Sequence, residues 1–192
     1  MYKRYLLLSL LLLVVFFTAC ANKPYRLKQI SISNQGEFTL QSPVDFGDNL
    51  SLLQEIEIQR GDEVLSMIAQ VEIINTQVNI VALTPMGTRL FTIQWDDKEF
   101  HFSSISEDRL PFEPKRILAD NQIILWPKLS KTAGIVVQES SKAPHFRDIY
   151  VDGKKIIHIQ YDSDQRGKGN STFHHMEQGY TIHTKTIQIE SL

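Results

Sequence analysis

The chain is 192 residues long, 42% apolar and 22% charged, with a formal net charge of −2 at pH 7. That balance, without a basic patch or basic–aromatic interleaving, excludes a nucleic-acid partner. A single cysteine excludes an intrachain disulfide framework.

The leader comes first. Lys3 and Arg4 precede an almost unbroken apolar run from Leu6 to Phe17, which stops at Thr18-Ala19-Cys20. A basic flank, a short apolar stretch and a small-residue site make a secretory signal, too short to span a bilayer comfortably. An uncleaved anchor is the rival reading, and the polar residues that follow immediately argue against it. Phe17-Thr18-Ala19-Cys20 resembles the bacterial lipobox. The resemblance implies diacylation of the Cys20 thiol, cleavage before it and acylation of the new amino terminus. Each buried CH₂ contributes ~0.8 kcal/mol, so several acyl chains anchor stably where one is marginal. A stray thiol in an ordinary signal peptide is the alternative. Bacterial sorting rules read aspartate after the lipidated cysteine as inner-membrane retention, so Ala21 implies the outer membrane. The expected boundaries are a signal peptide at 1–19, a lipidated tether at 20–29 and one domain at 30–192. With Lys3 and Arg4 in the leader, the part beyond Cys20 has a net charge near −4.

From there a period of two dominates, the mark of half-buried strands. Ile30 and Ile32 alternate with serines, Asn34-Gln35-Gly36 turns the chain, and Phe38 and Leu40 follow. Residues 43–49 read as a loop. Leu52, Ile56 and Ile58 alternate with Glu55, Glu57 and Gln59; after Arg60-Gly61-Asp62, Leu65, Met67, Ala69, Val71 and Ile73 fall on one strand face, with Ser66, Gln70 and Glu72 on the other. Val78 to Thr84, Arg89 to Trp95 and Glu99 to Ser103 continue the meander. Pro111-Phe112-Glu113-Pro114 breaks it. A helix is expected from about Lys115 to Ile124, with Pro114 in its first turn and Pro127 beyond its end. A second short helical segment is expected near Lys128 to Thr132. Strands resume at Ile135 to Gln138 and Phe146 to Val151. Asp152-Gly153 then signals a hairpin into Ile157, Ile159 and Tyr161. After a polar loop at 162–170, Thr172 to His175 and Tyr180 to Glu190 finish the sheet. The fold class is mainly β (α+β): about ten antiparallel strands curved into a closed or nearly closed barrel, with the helix over one opening.

The search for catalytic chemistry is short. No nucleophile elbow, HExxH or phosphate-cradling loop occurs, so no catalytic residues and no cofactor are expected. His174 and His175 point to opposite faces if they lie in a strand, and no spacing assembles three or four metal ligands. Asp96-Asp97 reads as a turn filler. What remains is a hydrophobic interior. Phe91, Ile93 and Trp95 share one strand face, and Phe100 and Phe102 share a face of the next. Such aromatics either fill a core or line a cavity for an apolar ligand. Both readings stay open. Met86 stands out at a turn tip in "LTPMGTRLF", where water-facing residues are usual.

Two motifs carry a resemblance. "LTPMGTRLFTIQWDDKEF" from Leu83 to Phe100 and "LPFEPKRILADNQIILWP" from Leu110 to Pro127 resemble a family of bacterial lipoproteins. Genes of that family often accompany aryl-polyene and related polyketide or fatty-acid-type clusters. The family pattern is an "LTPxGxRLFxLxxDG" hairpin and a helix ending "QLxLWP"; Lys98 departs from the pattern's glycine. "NLSLLQEIEI" from Asn49 to Ile58 resembles its early strand, so the likeness spans roughly Asn49 to Leu192. That family is similar to LolB, the outer-membrane receptor that inserts lipoproteins delivered by a periplasmic carrier. The resemblance implies an incomplete antiparallel β-barrel with a helical lid over a hydrophobic cavity, LolB/LolA-like. It also implies a lipid, acyl-chain or lipidated-cargo ligand and a periplasmic carrier as partner. LolB-like receptors expose a leucine in an "NPLG" turn. On Thr84-Pro85-Met86-Gly87 the proline and glycine match, and the resemblance implies a membrane- or cargo-touching tip at Met86. Met86 folded over the barrel rim is the alternative. LolB-like proteins begin with an amphipathic helix, whereas residues 21–40 read as tether and strand. A structural or assembly lipoprotein, its barrel packed solid and its surface bound to a protein, is the second function expected.

Overall fold

In the computed structural model, residues 28–105 and 112–192 are described. The expected signal peptide, Cys20 and most of the tether lie outside them, as do Leu110 and Pro111 of the second motif. Two short strands, β1 (Gln29–Ser31) and β2 (Glu37–Thr39), form a separate hairpin. Their alternation is that of the sequence: Ile30, Ile32, Phe38 and Leu40 are all buried. Gly36 is at this turn because a Cβ there would come within 2.6 Å of a Val151 methyl. The hairpin therefore presses against the main sheet.

That sheet is built from two antiparallel meanders of five strands. The first comprises β3 (Leu50–Arg60), β4 (Glu63–Ile74), β5 (Gln77–Leu83), β6 (Arg89–Trp95) and β7 (Phe100–Ser104). The second comprises β8 (Ile135–Ser140), β9 (His145–Val151), β10 (Lys154–Tyr161), β11 (Asn170–His175) and β12 (Tyr180–Ser191). The long final strand joins them, pairing with β3 from Tyr180↔Arg60 to Ser191↔Leu50. β7 and β8 are left as edges, so the barrel is incomplete rather than closed.

The inward face carries Leu52, Met67, Ala69, Val71, Ile80, Phe91, Ile93, Trp95, Ile159 and Phe173, all buried. Glu55, Glu57 and His183 are exposed on the other face, the alternation expected of a sheet wet on one side. The helix α1 (Pro114–Leu125) connects the two meanders and lies against the concave face. Leu118, Ala119 and Ile123 are fully buried, which is why its apolar stripe fits a simple amphipathic pattern poorly. No helix of the described residues is long and apolar enough to cross a membrane.

The helix expected near Lys128 to Thr132 does not form. Gln41 claims that backbone instead. Its side-chain Nε2 donates to Lys128 O (3.3 Å) and Ser130 Oγ (3.1 Å), and Ser130 N–H donates to Gln41 Oε1 (3.2 Å). A side chain that satisfies both backbone and hydroxyl groups holds the segment in an open path where i→i−4 bonds would otherwise compete.

Candidate functional site

Between α1 and the strands β3, β4, β5, β6 and β12 lies a cavity of about 70 Å³. That is several times the roughly 10–15 Å³ that admits one water, and well below the roughly 300–1,000 Å³ of pockets that enclose drug-sized ligands. Ile56, Met67, Val71, Ile80, Phe91 and Ile124 form much of its wall. Ile58, Leu65, Phe112 and Ile182 also line it and are only half-buried, which marks the side facing solvent. Ile58 pairs with both Leu65 and Ile182 near the β3–β4 turn, so these three sit together at one end of the sheet. Antiparallel pairing places the β5–β6 and β11–β12 turns at that same end. Val64, Met86, Ile105 and Met176, all large, apolar and exposed, stand at or beside the turns of that end.

Three sets of polar contacts hold α1 at a fixed height over the sheet. At its start, Arg116 Nε donates to Asp120 Oδ1 (2.9 Å), Nη1 to Ser31 O (2.7 Å) and Nη2 to Tyr180 OH (3.2 Å); the Tyr180 hydroxyl donates to Asp120 Oδ2 (2.5 Å). In its middle, Gln122 accepts from Gln41 N–H (2.8 Å) and donates back to Gln41 O (2.9 Å). At its end, Arg147 of β9 donates to the carbonyls of Ile123 (2.6 Å), Trp126 (2.8 Å) and Pro127 (3.2 Å), and Tyr161 OH donates to Ile124 O (2.9 Å). A helix terminus leaves its last carbonyls without intrahelical partners, and here buried side chains of the sheet supply the donors.

Burial sets the electrostatics of this cluster. It pushes the Asp120 carboxyl above its ordinary range, with Arg116 and Tyr180 pulling the other way. Burial works against the Arg116 charge, but Asp120 and Tyr180 together hold its pKa above the ordinary value. Burial, reinforced by Asp120, keeps the Tyr180 hydroxyl protonated well beyond the usual phenol range. His175, fully buried, falls from 6.5 to about 4, first through desolvation and then through the Arg116 charge. As neutral imidazole it donates from Nε2 to Ile32 O (2.9 Å) and accepts at Nδ1 from Gln178 N–H (3.2 Å).

The residues singled out in the sequence separate in space. Phe91, Ile93 and Trp95 are all buried on the concave side, but only Phe91 lines the cavity. Ile93 is core, and the Trp95 indole donates to Gln41 O at 3.0 Å. Phe100 and Phe102 pair with Trp95 and Ile93, so all five aromatic and aliphatic residues face the same way. Met86 is 95% exposed. His174 and His175 do point to opposite faces, exposed and buried. Among the described residues no group of three His, Cys, Asp or Glu side chains is placed to hold a metal.

Sequence reasoning missed the buried charges. Their signals were present: Arg116 and Asp120 stand four apart on one helix face, and Arg147 shares an inward strand face with Ile149 and Val151. Nothing in the spacing says that those positions are interior.

The fold is similar to two solved structures. One is a LolA superfamily protein, NE2245 from Nitrosomonas europaea, at 8% identity and a TM-score of 0.44, covering 76% of this chain and 86% of that one. The other is a DUF1329 family protein from Desulfovibrio piger, at 10% identity and a TM-score of 0.34, covering 78% of this chain and 90% of that one. No curated protein matches the chain. Residues 51–188 match the family described as "Protein of unknown function (DUF3261)", and the chain belongs to that family.

Proposed function

We propose that the cavity beneath α1 takes up a length of alkyl or acyl chain, and that the protein is a lipid-binding or lipid-transfer lipoprotein without catalytic chemistry. The observation that carries this reading is the nearly all-apolar wall of a cavity whose half-buried side lies at the end of the sheet where Val64, Met86, Ile105 and Met176 are exposed. Apolar surface at the same end of the sheet as the half-buried side of an apolar cavity suits a chain passing between the protein and a membrane or carrier. At about 70 Å³ the cavity suits part of one chain; a diacyl lipid requires α1 to move outward. Cys20 is the lipid attachment point in this reading, tethering the domain to the periplasmic side of the outer membrane. A periplasmic carrier is the proposed donor.

The test is displacement of a fluorescent fatty acid from purified soluble domain. Wild type should bind it, and Ala69→Phe, which fills the cavity from β4, should weaken binding at least tenfold while remaining folded by circular dichroism. Absence of binding to wild type would leave the second reading, an assembly lipoprotein acting through its surface. The anchor is tested separately: radiolabelled palmitate should enter the wild type in a bacterial host and not Cys20→Ser. Label in the serine variant would sink the assignment.

A further inference from the structure

The two ends of the cavity differ. Inward residues of β3 run Ile58, Ile56, Gln54 and Leu52 from the β3–β4 turn back toward the start of the strand, and the first three line the cavity. Ile58, with Leu65 and Ile182 beside it, is half-buried. At the other end Val71, Ile80 and Leu125 also line the cavity and are buried. Val71 pairs with both Leu52 and Ile80, so these three stand at one level of the sheet. The helix runs in the same direction: Phe112, just before it, lies 4.7 Å from the Tyr180 ring at the half-buried end, and Leu125 closes its last turn at the buried one.

What shuts the buried end is the polar loop between β10 and β11. A Cβ at Gly167 would come within 3.2 Å of Leu52 Cδ1 and 3.4 Å of Leu125 Cδ2. The loop backbone therefore lies against both leucines, at a residue whose φ of 80° suits glycine. Bonds on two sides hold it there. Thr186 N–H donates to Gly169 O (3.0 Å), and Gln54, in the cavity wall, donates from Nε2 to Thr186 Oγ1 (3.0 Å). Arg166 stands 4.7 Å from the centre of the Tyr161 ring and pairs with Glu139, which also receives Arg147. Arg147 and Tyr161 in turn bond the last carbonyls of α1. Loop, sheet and helix end are one bonded unit.

Resting on the alkyl-chain reading above, we infer that the cavity is blind, and that Leu125, Val71 and the loop at Gly167 set the length of chain it accepts. A chain entering at the half-buried end meets Leu125, with Leu52 and the Gly167 backbone behind it. Each methylene inserted before that stop leaves water, and each one beyond it stays outside. The ligand class is thus a single alkyl chain selected by length.

The experiment uses straight-chain fatty acids from octanoic to stearic, each below its micelle concentration, as displacers of the fluorescent fatty acid. On wild type the displacing concentration should fall about fourfold for each added methylene, the worth of one CH₂ taken out of water, and then level off at one length. Leu125→Ala, which lowers the stop, should move the levelling point to longer chains. Val71→Leu, which raises it, should move the point to shorter ones. A fall that continues unbroken through stearic acid would show the chain running out past the loop, and would overturn the inference while leaving the cavity reading intact. A levelling point that neither substitution moves would overturn it equally. Failure of the probe itself to bind wild type would overturn both. If Leu125→Ala does not fold, Val71→Leu, which empties no space, carries the comparison.

Discussion

Met86 is held out rather than left loose. Gly87 N–H donates to Thr84 O (2.8 Å), Thr84 N–H donates to Thr88 O (2.8 Å), and Thr88 N–H donates to Thr84 Oγ1 (3.1 Å). Gly87, at φ 84°, closes the loop in the left-handed region, the bulged arrangement common in three-residue hairpin loops. The pairing register shifts between Ala82 and Leu83, as a bulge requires. A methionine side chain 95% exposed on so well-bonded a turn adds little to folding. Met86→Glu should therefore change stability by no more than about 0.5 kcal/mol. If Met86 enters an apolar phase, the same change should slow delivery of a bound chain to liposomes, because a carboxylate resists leaving water. Stable protein with unaltered delivery would make Met86 an ordinary turn residue.

At the scale of the element, α1 is fixed more by what meets its ends than by its own sequence. Its N-cap, Glu113, makes no side-chain cap bond, and its C-cap, Trp126, does not adopt the left-handed conformation. Arg147 does that work from the sheet, bonding three carbonyls and an ion pair with Glu139 (3.1 Å), which also meets Arg166. Burial lowers the pKa of Arg147, but a guanidinium remains charged at neutral pH. Arg147→Ala should cost about 3–5 kcal/mol, since it strands several buried carbonyls at once. Arg147→Lys should recover only part of that loss, an ammonium being unable to span the same carbonyls. Urea midpoints of the three proteins measure it, and a loss below about 1 kcal/mol for alanine would show that the helix end rests on other contacts.

For the whole molecule, the decisive pairing is β12 with β3, which welds the two meanders and leaves β7 and β8 as edges. The hairpin of β1 and β2 closes over part of the interior, tied by Asn34 N–H to Glu177 (2.8 Å) and by His175 to Ile32 O. The burial of His175, with the Arg116 charge acting in the same direction, predicts a pH dependence of global stability. The folded pKa of His175 is about 4 against an ordinary 6.5, so the unfolded chain takes up its proton first as pH falls. The stabilisation is fully present above about 6.5 and is lost progressively as pH falls to about 4, by up to about 3 kcal/mol. Urea unfolding across that range should show the decline in wild type and a much flatter profile in His175→Gln. An equal slope in both would place the titration elsewhere.

The sequence by itself determined which strands exist and which way their side chains point. Period-two alternation is a local property, and burial on one face of a sheet enforces it residue by residue; the strands were legible for that reason. It also marked Met86 and the helix-flanking prolines. Three things were decided only in the tertiary structure. The sheet stays open because β12 pairs with β3 and leaves β7 and β8 unpaired, a long-range choice no local pattern encodes. The segment after α1 is irregular because Gln41, about 90 residues away in sequence, takes its hydrogen bonds. The cavity exists because the buried Arg116–Asp120 pair at the start of α1 and the bonds of Arg147 to the carbonyls at its end fix the helix over the sheet, and a volume is set by packing rather than by any single residue.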